Sequence, residues 1–123
     1  SGMLGLPGDF TPPSRFVRAV AFSASAFPVP TARAGVLQVF HILNQFDIPK
    51  GAARGDEHGK VTADYTLWTA VSDLKNLHYY FRTYDDSTIK MINLNCIDLN
   101  AAGIKTISIQ GDQPILDLSG CAR

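Results

Sequence analysis

The chain lacks an excess of either charge: 11 Lys and Arg face 11 Asp and Glu over 123 residues, for a formal net charge of zero. With no basic stripe to neutralise a phosphate backbone, nucleic acid is not an expected partner. No apolar run approaches the ~20 residues that cross a bilayer, so no membrane partner is expected either. Ser1–Asp9 has no basic segment followed by a long apolar one, which argues against a signal peptide at this start. Cysteine is scarce. Cys96 and Cys121 stand at a separation that is neither a metal-ligand nor a redox spacing, and the expectation is two unpaired, partly buried thiols. Histidine is equally sparse and dispersed, at His41, His58 and His78. No cofactor and no metal are expected.

What is present is enough for one domain with a modest core, since 46% of the residues are hydrophobic. Residues 1–10 read as loop, with three Gly and one Pro, and Asp9 closing the turn. Two helices are expected within 11–49. Thr11 is placed as N-cap of the first, with Pro12 at the position where a missing N–H costs nothing. That helix should run to about Ala26 with Phe16, Val20 and Phe27 near one face, until Pro28 and Pro30 stop it. Thr31 caps the second, where Val36, Val39, Phe40 and Leu43 recur at helical spacing, and Pro49 sets its end. Residues 50–63 read as a charged loop. Antiparallel strands are expected within 64–109: Asp64–Val71, Leu77–Tyr84, Thr88–Leu94 and a weaker Lys105–Ile109. The fold class is therefore α+β, helices on one face of an antiparallel sheet.

The most informative stretch is Gly5-Leu6-Pro7-Gly8-Asp9-Phe10-Thr11-Pro12-Pro13-Ser14-Arg15-Phe16-Val17-Arg18. It joins a Gly/Pro turn to a proline-started helix and puts Arg15 in that helix's first turn. The macrodipole is positive there, so a cation loses roughly 0.3–1 kcal/mol. Arg18, one turn on, adds repulsion. Two readings follow from the physics. In one, a guanidinium is required at a fixed point, aimed at an anion or a carbonyl oxygen. Alternatively, a surface arginine covers apolar area with its stem.

The same residues resemble the C-terminal part of the choloylglycine hydrolases, the family of conjugated bile salt hydrolases and penicillin V acylases. The similarity continues through Phe40-His41-Ile42-Leu43-Asn44 and Asp47-Ile48-Pro49-Lys50-Gly51. It resumes at Tyr65-Thr66 and His78-Tyr79-Tyr80-Phe81-Arg82-Thr83-Tyr84. The resemblance implies that residues 1–123 are a single partial domain, the last third of a four-layer αββα N-terminal-nucleophile hydrolase. Such enzymes cleave linear amides with an N-terminal cysteine whose own α-amino group handles the proton. The family's active-site arginine falls on Arg15, and Arg18 matches a second basic residue that we read as structural. The implied partners are a missing N-terminal segment carrying the nucleophilic Cys, a small-molecule amide substrate and further copies of the chain, as in a homo-oligomer. The substrate would be penicillin V, a glycine- or taurine-conjugated bile acid, or an acyl-homoserine lactone. The Phe40–Asn44 and Asp47–Gly51 stretches look most like acylases of Gram-negative bacteria, which implies the periplasm.

The pattern also departs from the family. The chain does not begin with cysteine, and neither Cys96 nor Cys121 can supply an N-terminal amine, so this chain alone is expected to be inactive. Ser1 precedes a Gly/Pro loop rather than opening a buried strand, which argues against a serine nucleophile. His41 reads as a packed or edge histidine, His58 as part of a solvated loop and His78 as a strand start. Arg54-Gly55-Asp56 is a triplet that charged loops produce by chance. Gly2, Gly5 and Gly8 are no phosphate cradle, because Pro7 removes an N–H and no Lys-Ser/Thr follows. The rival reading is a non-catalytic α+β binding or self-association module. It expects Arg15 in solvent or in a local ion pair, whereas the enzyme reading expects it to face a cavity open to the missing segment.

Overall fold

A computed structural model describes residues 2–121. Two helices, α1 (Pro12–Ser25) and α2 (Ala32–Leu43), precede five strands: β1 (Ala53–Glu57), β2 (Lys60–Asp64), β3 (Trp68–Asp73), β4 (His78–Thr83) and β5 (Lys90–Asn93). The prolines at the first positions of α1 have no N–H to leave unpaired. The Thr31 hydroxyl accepts from Ala34 N at 3.1 Å and caps α2. That helix ends at Leu43, earlier than Pro49, in a 3-10 turn over Asn44–Phe46.

Strands β3, β4 and β5 form one antiparallel sheet in that order. Its register pairs Val71 with Tyr80 and Thr69 with Arg82, so these side chains share a face. Helix α2 lies on that face. Val36 and Phe40 of the helix and Val71 of the sheet are the buried cluster, with Leu43 and Tyr80 packed against it. The opposite face carries Trp68, Ala70, Tyr79 and Phe81. There Phe81 is buried and Trp68 is half exposed.

Three expectations are corrected by the coordinates. Residues 50–63 are not a loop throughout, because β1 and β2 form a separate antiparallel hairpin. Its tip is His58-Gly59 with φ of 55° and 79°, the positive pair of a two-residue turn whose twist suits a hairpin. Lys105–Ile109 is extended but joins no sheet. Among the described residues no strand follows Asn93, and the 94–121 segment returns to the body through Gln113, whose side-chain oxygen accepts from Ser87 N at 2.6 Å. Phe16 and Val20, one turn apart, do share a face of α1, and that face is exposed, at 69% and 53%, as is Phe27 beyond the helix at 84%, while Ser14 and Arg18 are buried. The thiols differ as well: both Cys96 and Cys121 are exposed.

Candidate functional site

The N-terminal loop is built to meet the start of α1. Met3 and Gly5 take positive φ of 56° and 87°, and Leu6 N donates to Met3 O at 3.1 Å, which folds the loop back on itself. The Asp9 carboxylate then gathers three donors: Thr11 N at 2.9 Å, the Thr11 hydroxyl at 2.5 Å and the Ser14 hydroxyl at 2.7 Å. The two hydroxyls and the Thr11 amide stabilise its charged form and hold its pKa down at about 2. The resulting anion sits at the positive end of α1 and offsets the cost of basic side chains there.

Arg18 completes this arrangement. Its Nη1 donates to both Pro7 O and Asp9 O, each at 2.8 Å. The guanidinium carbon lies 5.5 Å from the Phe46 ring centre, so the same side chain reaches the 3-10 turn after α2. Arg18 is only 5% exposed, and its Nη2 finds no acceptor among the described residues. It ties the Gly/Pro loop to two helical segments from a dry position.

Arg15 is the opposite case. Its backbone N donates to Thr11 O at 3.0 Å in the first helical turn, while its side chain is exposed. Among the described residues the guanidinium makes no hydrogen bond or ion pair. The structure thus fixes the backbone of Arg15 through its neighbours and leaves its charged head uncommitted, in solvent, rather than facing a cavity within this chain. Solvent is what the module reading expects.

The remaining sequence candidates are dispersed. His41 is exposed on α2 and His58 occupies the hairpin tip. The His78 Nδ1 lies 3.3 Å from the Tyr80 hydroxyl. Among the described residues no three His, Cys, Asp or Glu side chains are grouped to hold a metal. Arg54 donates to Gly51 O at 2.8 Å and Asp56 accepts from Gly59 N at 2.8 Å, so the Arg-Gly-Asp triplet serves the hairpin. Ser1 lies outside the described residues.

Sequence reasoning missed a second arrangement, a cavity of about 250 Å³ where the end of α2 meets the sheet. Asn44, Asp47, Thr69, Trp68 and Arg82 are among the residues lining it. Arg82 Nη2 donates to Asn44 Oδ1 at 2.5 Å, and the guanidinium carbon is 5.4 Å from the Phe40 ring centre. Three of the segments quoted above, those holding Asn44, Asp47 and Arg82, converge there, although their separation in sequence gives no hint of it.

Comparison with known proteins places this geometry. The family described as linear amide C–N hydrolases, choloylglycine hydrolase family, matches residues 1–107. The chain belongs to the choloylglycine hydrolase family. A bile salt hydrolase/transferase of Lactiplantibacillus plantarum is 39% identical over 94 residues, 76% of this chain and 28% of that protein. A conjugated bile acid hydrolase from Clostridium perfringens superposes with a TM-score of 0.75 at 30% identity, covering 96% of this chain and 35% of that one. Penicillin V acylase from Agrobacterium tumefaciens shares the fold, with a TM-score of 0.66 at 24% identity over 80% of this chain and 30% of that one. The α+β fold is thus that of the N-terminal-nucleophile hydrolases. The chain spans about a third of the length of the curated relatives it matches.

Proposed function

We propose that these residues are the C-terminal part of a linear-amide hydrolase acting on penicillin V or conjugated bile acids. Its nucleophile would be an N-terminal cysteine outside this chain, and these residues alone would be inactive. In that enzyme the thiolate attacks the amide carbonyl carbon, and the cysteine's own α-amino group carries the proton to the leaving amine. Arg15 favours the thiolate by proximity and holds the site together electrostatically. The observation that carries this reading is the family match over residues 1–107. The guanidinium of Arg15, without a partner among the described residues, supports it further, whereas Nη1 of Arg18 is taken up by Pro7 O and Asp9 O. The proposed partners are the Cys-bearing segment, the amide and further copies of the chain, in a periplasmic setting that cell fractionation would check.

The decisive experiment is Arg15→Ala in the complete hydrolase. Loss of an electrostatic site residue costs roughly 10²–10³ in turnover, and that is the expected result. Turnover within about threefold of the parent would remove Arg15 from the site. The second reading, a non-catalytic module, is favoured by the exposure of Arg15 in solvent and of Phe16 and Phe27. Native mass measurement separates the two. A co-purifying chain led by cysteine supports the hydrolase, and a self-associated oligomer of this chain supports the module.

A further inference from the structure

The β1–β2 hairpin forms a sheet of its own and is exposed on both sides, so its outer edges can template a further strand. Glu57 and Lys60 pair across the two-residue turn and exchange main-chain hydrogen bonds. Bonded and non-bonded pairs alternate along an antiparallel ladder. The N–H and C=O groups of Lys60, Thr62 and Asp64 therefore turn towards β1, and those of Val61 and Ala63 turn outward. Among the described residues no main-chain bond from another segment reaches Val61 or Ala63, and Val61 is 69% exposed.

The order of residues along this edge decides what can pair with it. Lys60 and Asp64 carry opposite charges and flank Val61-Thr62-Ala63 symmetrically. Turned about a twofold axis through Thr62, a second copy of β2 sets its Asp64 opposite Lys60 and its Lys60 opposite Asp64. The same register sets Val61 against Ala63 of the second copy. These are the residues whose main-chain groups point outward, so they form the bonded pairs. The charged residues and the two threonines fall on the non-bonded pairs, where side chains come closest and both combinations are favourable. A shift of two residues either way keeps the bonding pattern and loses both charge pairs. The β1 edge is the poorer one. Gly55 weakens it, while the Arg54 side chain is engaged by Gly51 O and the Asp56 carboxylate by Gly59 N. We propose that β2 is a self-association edge whose partner is a second copy of this chain, paired antiparallel about Thr62 into a four-stranded sheet. The proposal names the surface through which further copies join and rests on that part of the proposed reading, not on Arg15.

Five-residue strands bury little, so the contact belongs to the weak class below about 1,200 Å², and a covalent readout captures it. Cys96 and Cys121 are exposed and are first replaced by serine. On that background Thr62→Cys puts two thiols across the axis with Cα atoms about 4.5 Å apart, within the span of a disulfide. The linked dimer should form at least tenfold faster than with Glu57→Cys, which lies in β1. Lys60→Cys and Asp64→Cys, mixed, should cross-link at least tenfold faster than either alone. Val61→Pro removes an outward N–H, leaves the hairpin's own bonds in place and should slow the Thr62→Cys dimer at least tenfold. Chemical shifts check that this variant keeps the hairpin, and if it does not the mixed pair decides. Equal rates for Thr62→Cys and Glu57→Cys, or for the mixed and single variants, would overturn the proposal. Native mass measurement separates that failure from failure of the proposed reading. Oligomers without these cross-links move the interface elsewhere and keep further copies among the partners. A chain still monomeric at about 1 mM, where even weak contacts populate, removes them as well.

Discussion

Arg18→Met removes a buried guanidinium and keeps most of its apolar stem, which isolates what the charged head contributes. Two hydrogen bonds at 2.8 Å are lost, to Pro7 O and Asp9 O. Bonds involving a charged partner contribute roughly 1.5–3 kcal/mol each, so the gross loss is about 3–6 kcal/mol. Against this stands the unpartnered Nη2, whose desolvation costs the native state roughly 1–3 kcal/mol that methionine would not incur. The difference leaves a destabilisation of about 2–3 kcal/mol. With a urea dependence of about 1.5 kcal/mol per molar, the unfolding midpoint should fall by about 1.5 M. Arg15→Met is the matched control, since it lies one turn earlier and is exposed. A surface change of that kind should stay within about 0.5 kcal/mol. Hydrogen exchange at residues 3–11 should rise in Arg18→Met alone, because the freed loop loses its anchor. A midpoint shift below about 0.3 M, or equal shifts in the two variants, would refute the division of labour between these arginines.

The pKa of about 2 at Asp9 and at Asp86 gives a signed prediction. Both lie below the ordinary carboxylate value, so their contribution is fully present above about pH 4–5 and is lost as pH falls towards 2. The urea midpoint should therefore be flat from neutrality to about pH 5 and decline below it, with Asp9→Asn flattening part of the decline. Asp86→Asn should be the more damaging of the two changes. The residue is buried and its carboxylate takes Thr88 N at 2.9 Å and Lys90 Nζ at 2.5 Å, which shape the turn between β4 and β5. Gly59→Ala should cost about 1 kcal/mol through backbone strain alone, since φ is +79° and nothing lies within 4 Å of an added methyl. The loss should appear as weakened β1–β2 chemical shifts without change in β3–β5. Both cysteines are exposed, so two thiols per chain should react with a thiol reagent in native buffer, where buried ones would not.

The α+β class and the two helices were legible because their signals are local. Paired prolines after a turn, threonine caps and helical spacing of Val36, Phe40 and Leu43 need no tertiary information. The alternation of Leu77–Tyr84 was equally readable, since one face meets α2 and the other buries Phe81. The β1–β2 hairpin was missed because it buries almost nothing. Its strands run Ala-Arg-Gly-Asp-Glu and Lys-Val-Thr-Ala-Asp and are exposed on both sides, so no hydrophobic period marks them. The remaining cue was His58-Gly59, a turn pair weaker than Asn-Gly. Lys105–Ile109 erred in the other direction: it has strand composition, but among the described residues it pairs with no strand. Which side of α1 is buried was not legible: Phe16 and Val20 share a face that stays exposed, and hydrogen bonding from Arg18 and Ser14 sets which side meets the loop.

This hydrogen bonding explains why two arginines can be tolerated at the positive end of one helix. Each would lose energy to the macrodipole if left alone. Asp9 places a fully ionised carboxylate at that end, held by Thr11 and Ser14. Arg18 turns its head back to two main-chain carbonyls, whose partial charges stabilise it. Both devices act on the loop and on the first turns of the helix, and neither engages the head of Arg15. The local electrostatics therefore offset the cost of having Arg15 without satisfying it. A side chain that served only to cover apolar area would not need this support, because glutamine or methionine at an exposed position would avoid the dipole penalty altogether. On the proposed reading, the acceptor of that guanidinium comes from the Cys-bearing segment. For that reason the outcome of Arg15→Ala in the complete hydrolase bears on the whole of this N-terminal architecture: a parent-like turnover would leave the Asp9–Arg18 network as a loop fastening with no chemical purpose.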